Sequence, residues 1–134
     1  MSQKTFVLPI YHLVPAEYYQ CQPLDQPYQT PTLAEEGFIH CTAGAEKLVE
    51  IANIYFADLR DELFALEIDP ARLTAPLRFE PPIAPAHTAA SPTQRAAAER
   101  DTLFPHIYGP LNRQAIVNCI ALQRDPAGRW QMPE

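Results

Sequence analysis

Hydrophobic positions along the chain fall into short runs whose spacing is typical of β-strands. Residues 5–14 are rich in β-branched and aromatic side chains, residues 62–69 alternate between apolar and polar positions, and residues 115–122 are strongly apolar. Shorter strands are predicted at 38–41, 77–80 and 129–132, the last after a turn at 125–128. The pattern therefore predicts a protein built mainly on sheets.

One helix of useful length is predicted, over residues 43–57. Its apolar side chains fall at i, i+4, i+7 and i+8 and are Leu48, Ala52, Tyr55 and Phe56. We expect this stripe to pack against a sheet and Thr42 to cap the helix. Shorter helical segments are predicted at 15–20, 33–37 and 94–101. Because strands outnumber helices and the helices cluster early, the predicted fold is α+β with a mostly antiparallel or mixed sheet.

A proline-rich segment follows the predicted strand at 77–80. Residues 81–93 contain four prolines, which prevent a regular helix or an interior strand. The segment lies in sequence between Glu80 and the apolar residues 104–108. We therefore expect a mobile loop that flanks a site and acts as a lid.

Length and charge narrow the class of protein. A chain of 134 residues fits a single domain over 1–134 and can bury a core without a metal or disulfide. The formal net charge is −6, with no basic run, so duplex nucleic acid is not an expected partner. The three cysteines have no metal-type spacing and are interpreted as reduced thiols. With no signal peptide or membrane span predicted, we expect a cytoplasmic protein; the oligomeric state is not predicted.

Three of the four histidines lie inside hydrophobic segments: His12, His40 and His106. An imidazole among Ile, Phe and Tyr side chains loses hydration and needs a partner. Two interpretations follow: either the three are separate core histidines, each bonded to a backbone carbonyl, or they converge on a small-molecule site in an apolar cleft. No HxH or HxxxH spacing is present, so a metal site is not expected.

The segment from Gly37 to Phe56 combines a strand with a helix. The predicted strand ends at residues 40–42 and turns directly into a helix. The first N–H groups of that helix are unpaired and point past the end of the strand. They favour the binding of a phosphate or carboxylate there. Alternatively, Thr42 is only a cap. Cys41 beside His40 suggests a thiolate–imidazole pair, but neighbouring residues on a strand point to opposite faces.

Several motifs resemble a known family. They are residues 10–12 (Ile-Tyr-His), residues 36–42 (Glu-Gly-Phe-Ile-His-Cys-Thr), Ile68-Asp69 with Phe79-Glu80, and residues 104–111. Together they resemble the bacterial family named domain of unknown function nine-five-two, over nearly the whole chain. That family is grouped with the ADP-ribosyltransferase superfold, and more distantly the chain resembles the RNA two-prime phosphotransferases. The resemblance implies a split sheet that holds NAD in a cleft.

The resemblance also implies roles for particular residues. His12 matches the histidine or arginine that contacts the NAD ribose or phosphate, although Leu13 replaces the glycine that commonly follows it. Residues 38–42 match the second motif of those relatives. Glu80, or a residue near Tyr108, stands where the transferases have a catalytic glutamate.

Two functions follow as hypotheses. The first is an enzyme of ADP-ribosyl or phosphoryl-transfer type that uses NAD. Its predicted catalytic residues are His40, Glu80 and His106, and its predicted ligand-binding residues are His12, Thr42 and Tyr108, without a metal. The second is a binding module that has kept the cleft for a nucleotide or other small anion but lost the chemistry.

Overall fold

The structure is a computed structural model that describes residues 9–81 and 103–133. Its strands are β1 (Ile10–Pro15), β2 (Ile39–His40), β3 (Thr42–Ala43), β4 (Leu63–Ile68), β5 (Leu77–Glu80), β6 (Phe104–Ile107), β7 (Ile116–Ala121), β8 (Gln123–Arg124) and β9 (Trp130–Gln131). Its α-helices are α1 (Ala16–Gln20), α2 (Leu33–Glu36) and α3 (Ala45–Tyr55), with single turns of 3-10 helix at Pro70–Arg72 and Arg113–Ala115.

The strands form two main sheets and a hairpin. The first sheet has the order β3-β1-β4-β7, the second has the order β2-β6-β5, and β8 pairs with β9. Every pairing between named strands in the described residues is antiparallel. The sequence prediction of an α+β fold with antiparallel sheets and few helices is confirmed.

The central strands β1 and β4 are buried on both faces. On one face Ile10, Val14 and Leu66 pack in the largest core cluster, and on the other Tyr11, Leu63 and Ala65 pack in the second. Helix α3 covers the second face with Leu48 and Ala52, as its apolar stripe predicts. Because consecutive side chains of a strand point to opposite faces, His12 lies on the same face of β1 as Val14.

The start of α3 differs from its prediction. Thr42 does not cap the helix: it lies in β3, opposite Tyr11 of β1, and the residue before the helix is Gly44. Gly44 has a φ of 90°, a conformation that favours glycine, and it makes no side-chain cap. The helix therefore begins two residues later than predicted, because Thr42 and the next residue pair with the edge of β1 as strand β3.

Two predicted segments lie mainly or wholly outside the described residues. They are the proline-rich loop at 81–93, of which only Pro81 is described, and the helix at 94–101. Elsewhere, β5 has the predicted ends, and β4 and β7 are each one residue shorter at both ends than predicted. No helix in the described ranges is long and apolar enough to cross a membrane.

Candidate functional site

The candidate site lies where the two main sheets separate. Strand β2 pairs with β6 of the second sheet, and β3, beginning two residues after His40, pairs with β1 of the first. Between them the Cys41 amide donates to the Pro105 carbonyl at 3.0 Å. Residues 39–43 therefore cross from one sheet to the other.

His12 of β1 bonds both to this crossing segment and to the loop at 21–32. Its Nδ1 is 2.7 Å from the His40 carbonyl oxygen, and its Nε2 is 2.9 Å from the Tyr28 hydroxyl. A carbonyl oxygen can only accept, so Nδ1 carries the proton and Nε2 accepts from Tyr28. Burial, the largest cause, lowers the pKa of His12 to about 4. The ring is therefore neutral at pH 7 and has both nitrogens engaged.

Tyr28 is fixed by contacts from a distant part of the chain. Its backbone N–H and C=O both pair with Leu111, each at 2.8 Å. The Arg113 guanidinium donates to the Gln26 carbonyl at 2.8 Å and to the Pro23 carbonyl at 3.0 Å. Burial raises the pKa of the Tyr28 hydroxyl, so it remains a proton donor. The proline-rich loop at 21–32 is thus attached to the segment that contains Leu111 and Arg113.

A carboxylate at the end of α2 holds the His40 ring. Glu36 Oε2 lies 3.1 Å from His40 Nε2, and the Thr32 hydroxyl donates to Glu36 Oε1 at 2.6 Å. Gly37, with a φ of 85°, ends α2 immediately after Glu36, which brings that carboxylate back toward β2. A carboxylate-bound imidazole that faces a cleft can accept or give a proton during a reaction.

These groups line one cleft of about 460 Å³. Its polar lining is His12, Thr30, Thr32, Glu36, His40 and Thr42, and its aromatic lining is Tyr18, Tyr28, Tyr55 and Phe56. Aliphatic side chains, among them Val14 and Ile51, complete the described walls. A mostly apolar cavity with a few converging polar groups is the usual build of a small-molecule site.

The other predicted residues form a separate polar cluster on the second sheet. His106 Nδ1 donates to Glu80 Oε1 at 2.8 Å, and the Tyr108 hydroxyl donates to the same oxygen at 2.6 Å. These two hydrogen bonds, that of Tyr108 first, lower the pKa of Glu80. The bond to Glu80 raises the pKa of Tyr108. The carboxylate is thus held ionised, and it ties β5 to β6.

Phe38 lies between the two clusters. Its ring stacks on His106 with centroids 4.3 Å apart and lies 4.8 Å from the ring of His40. The rings of His40 and His106 are 5.6 Å apart. The structure therefore brings the three histidines into one region, but His106, Glu80 and Tyr108 do not belong to the described lining of the cleft, whereas His12, His40 and Thr42 do. The roles predicted for these six residues stay predictions.

Cys41 lies in the core beside the site. Its side chain packs in the largest core cluster, and burial raises the pKa of its thiol. A protonated thiol is a weak nucleophile, so the Cys41–His40 pair considered from the sequence has no support in this geometry. In the described parts of the chain, no three His, Cys, Asp or Glu side chains are grouped to hold a metal ion.

Sequence reasoning missed Tyr28, Thr30, Thr32 and Glu36 as site residues. The first three lie in a proline-rich loop, which the sequence predicts only as a connection between elements. The contacts that fix this loop come from distant parts of the chain, so the local sequence does not indicate them. One signal was available: Tyr28 is a large aromatic residue in an otherwise polar, proline-rich stretch. Such a residue often has a buried role.

The structure is that of an α+β protein with two antiparallel main sheets and a cleft whose lining includes His12 and His40. The sequence model of the family described as protein of unknown function DUF952 matches residues 13–119. The chain belongs to this family, as its motifs predict. Among curated proteins, no sequence matches the chain significantly.

Solved structures agree on the fold. Protein CC0527 from Caulobacter crescentus is 20% identical and matches with a TM-score of 0.69, covering 92% of this chain and 93% of its own. A double mutant of the same protein is 19% identical and matches with the same TM-score and coverage. At this identity the likeness shows a shared fold and nothing about activity.

Proposed function

We propose that the chain binds a small molecule with a flat, nucleoside-like ring system in the cleft beside β1 and α3. The observation that supports the proposal is the composition of the cleft lining, which combines the aromatic residues Tyr18, Tyr55 and Phe56 with the polar residues His40 and Thr42. Aromatic side chains bind flat rings by stacking and edge contacts, and polar groups in the lining would fix the orientation of the ring.

NAD, the ligand that the ADP-ribosyltransferase resemblance implies, fits the described lining only in part. A nucleoside portion suits the aromatic walls. The pyrophosphate does not suit the described lining, which contains no lysine or arginine and includes the carboxylate of Glu36. His12 is neutral, with both nitrogens bonded. The described residues therefore support a ring ligand better than its phosphates.

Thermal unfolding tests the binding proposal. Free nucleobases, nucleosides, their 5′-phosphates, NAD and ADP-ribose are added separately. A ligand at about 100 times its Kd should add about 2.7 kcal/mol to the free energy of unfolding, which raises the melting temperature by several degrees. We expect at least one nucleoside or nucleobase to do so.

Two matched variants locate the binding. Leu13→Trp places an indole at a half-buried position of the cleft wall and should abolish the shift. Leu24→Trp makes the same change at a side chain that is 79% exposed and should keep it. Tyr18→Leu, which removes a ring from the wall, replaces Leu13→Trp if that variant does not fold. A shift that survives in both cleft variants would place the ligand elsewhere.

A second candidate function is transfer chemistry of the ADP-ribosyl or phosphoryl type in the same cleft. The hydrogen bonds that join Thr32, Glu36 and His40 favour it, since they hold an imidazole ready for proton transfer. It takes second place because the described lining offers no cation for phosphate. Release of nicotinamide from NAD by the wild type, but not by His40→Gln, would move it to first place.

His40→Gln also separates binding from packing. We expect ligand affinity to fall about tenfold, the equivalent of one lost hydrogen bond. Stability should change by less than about 1 kcal/mol, because the side chain is 23% exposed and His12 bonds to the carbonyl of residue 40, which the variant keeps. One titration and one denaturation curve measure both quantities. Unchanged affinity with a large loss of stability would mean that His40 is a core residue.

A further inference from the structure

The cleft lies against an open edge of β1. Strand β3 pairs with Ile10 and Tyr11 and reaches no further along β1, while β4 pairs with the whole strand. Four consecutive residues of β1, 12–15, line the cleft. Consecutive side chains of a strand point to opposite faces, so one cavity contacts all four only where it meets an edge of the strand. The edge next to β4 is occupied, so the cleft meets the other edge.

Lining residues on both faces of the first sheet agree with this placement. Val14 packs with Tyr28 in the core cluster on one face. Leu13 packs with Ile51 and Tyr55 of α3 on the other face. All five residues line the cleft. The cleft therefore contains groups from both faces and passes the open edge of β1 between them.

The hydrogen-bond pattern of β1 determines which main-chain groups face this edge. In an antiparallel pair, alternate residues bond to the partner strand. The Ala16 amide donates to the Glu62 carbonyl at 2.8 Å, so the even-numbered residues of β1 bond toward β4. On the side of β3, the Gly44 amide donates to the Pro9 carbonyl at 2.8 Å, so the odd-numbered residues face β3 and the open edge. The N–H and C=O of Leu13 therefore point toward the cleft.

Leu13 is the one residue on the open stretch of β1 that offers both a donor and an acceptor. Tyr11 is already paired with Thr42, and Pro15 has no N–H. Within residues 9–81 and 103–133, no strand pairs with β1 opposite Leu13. Unpaired main-chain groups at the edge of a sheet bind a partner that presents the complementary groups. Here the space beside them is the cleft, which is lined by aromatic side chains.

We infer that the N–H and C=O of Leu13 bind the edge of a flat ring that carries a hydrogen-bond donor next to an acceptor. The ring donor bonds to the carbonyl, and the ring acceptor bonds to the amide. Cyclic amides such as hypoxanthine and uracil have such an edge, as do rings with an amino group beside a ring nitrogen, such as adenine. This inference rests on the proposed function, because it names the group of the same cleft that recognises the ring.

Paired nucleosides that differ at this edge test the inference on the wild-type protein. The pairs are inosine with 1-methylinosine, uridine with 3-methyluridine, and adenosine with purine riboside. In each pair the second compound keeps the ring and lacks the donor of the edge. For each first compound that binds, calorimetry should show at least about tenfold weaker binding of its partner, the equivalent of one lost hydrogen bond. Equal affinity within the pairs would overturn the inference.

Leu13→Pro removes the second hydrogen bond from the side of the protein. It deletes the N–H that points to the cleft and keeps the pairing with β4, because proline is accepted where the N–H of a strand has no partner strand. Affinity for the nucleoside that binds most tightly should fall about tenfold. Leu13→Val keeps the N–H and an apolar side chain and should bind within about threefold of the wild type. A folded Leu13→Pro that binds as the wild type does would contradict the inference; if it does not fold, the nucleoside pairs decide.

The remaining outcomes separate this inference from the proposed function. If the paired nucleosides bind alike while Leu13→Trp does not bind, the role of the Leu13 main chain is wrong and the cleft proposal stands. If Leu13→Trp and Tyr18→Leu both bind as the wild type does, or if no nucleoside or base binds at millimolar concentration, the cleft proposal fails and the inference fails with it.

Discussion

Tyr28→Ala is expected to lower the free energy of unfolding by about 3–5 kcal/mol, the usual cost of removing a large buried aromatic ring. Tyr28 is 1% exposed and packs against Tyr19 and His12, with ring centroids 5.6 Å and 5.3 Å away. The substitution leaves a cavity in the largest core cluster. It also removes the hydroxyl that donates to His12 Nε2.

Tyr28→Phe is the matched control. It keeps the ring and removes the hydroxyl, which leaves the buried His12 Nε2 without this donor, at a cost of about 1–3 kcal/mol. Urea denaturation at pH 7 measures both variants: the smaller loss in Tyr28→Phe isolates the hydroxyl, and the difference between the two losses gives the contribution of the ring. A loss below about 1 kcal/mol for Tyr28→Ala would show that the loop at 21–32 does not pack as described.

Acidification from pH 7 to pH 5 is expected to cost about 2 kcal/mol of stability through His12 alone. Burial lowers the pKa of His12 from 6.5 to about 4 in the folded protein. Between these values the unfolded chain binds a proton that the folded chain does not. Protonation therefore favours unfolding: this contribution is fully present above about pH 6.5 and is lost as the pH falls toward 4.

The comparison with His12→Asn isolates this effect. The Asn side-chain amide can replace Nδ1 as donor to the His40 carbonyl, but it does not titrate. The free energy of unfolding is measured against pH for both proteins. The difference between the two curves should give the contribution of His12, because His40 and His106 are present in both. The measurements stop at pH 5. The pKa of Glu80 lies below its ordinary value, so protonation of Glu80 affects the free energy of unfolding only at lower pH. Parallel curves for the two proteins would contradict a neutral, buried His12.

The sequence predicted those parts of the fold that depend on local pattern. Strand β5 was found with the predicted ends because its prediction rests on residues 77–80 alone. The helical turn ended by Gly37 was found for the same reason. The cap at Thr42 was wrong, since the edge of β1, more than twenty positions earlier, extends the sheet past that residue.

The candidate site could be predicted only in part, because its polar contacts join distant segments. His12 and His40 stood out as histidines in apolar runs, and both line the cleft. Tyr28 did not stand out: its position depends on Leu111 and Arg113, near the opposite end of the chain. No spacing rule connects residues so far apart. The segment at 81–93, predicted as a lid, lies almost wholly outside the described residues.

The hydrogen bond from His12 goes to the main chain of residue 40, so it does not depend on which side chain stands at position 40. His12 holds the junction of the two sheets through a peptide oxygen, which every amino acid supplies. The side chain at position 40 can therefore be exchanged to alter the lining of the cleft, while the junction is kept. Position 12 has less freedom, since its side chain is itself the link and any replacement must supply a donor to that oxygen. A redesign of ligand preference should accordingly begin at position 40 and leave position 12 unchanged.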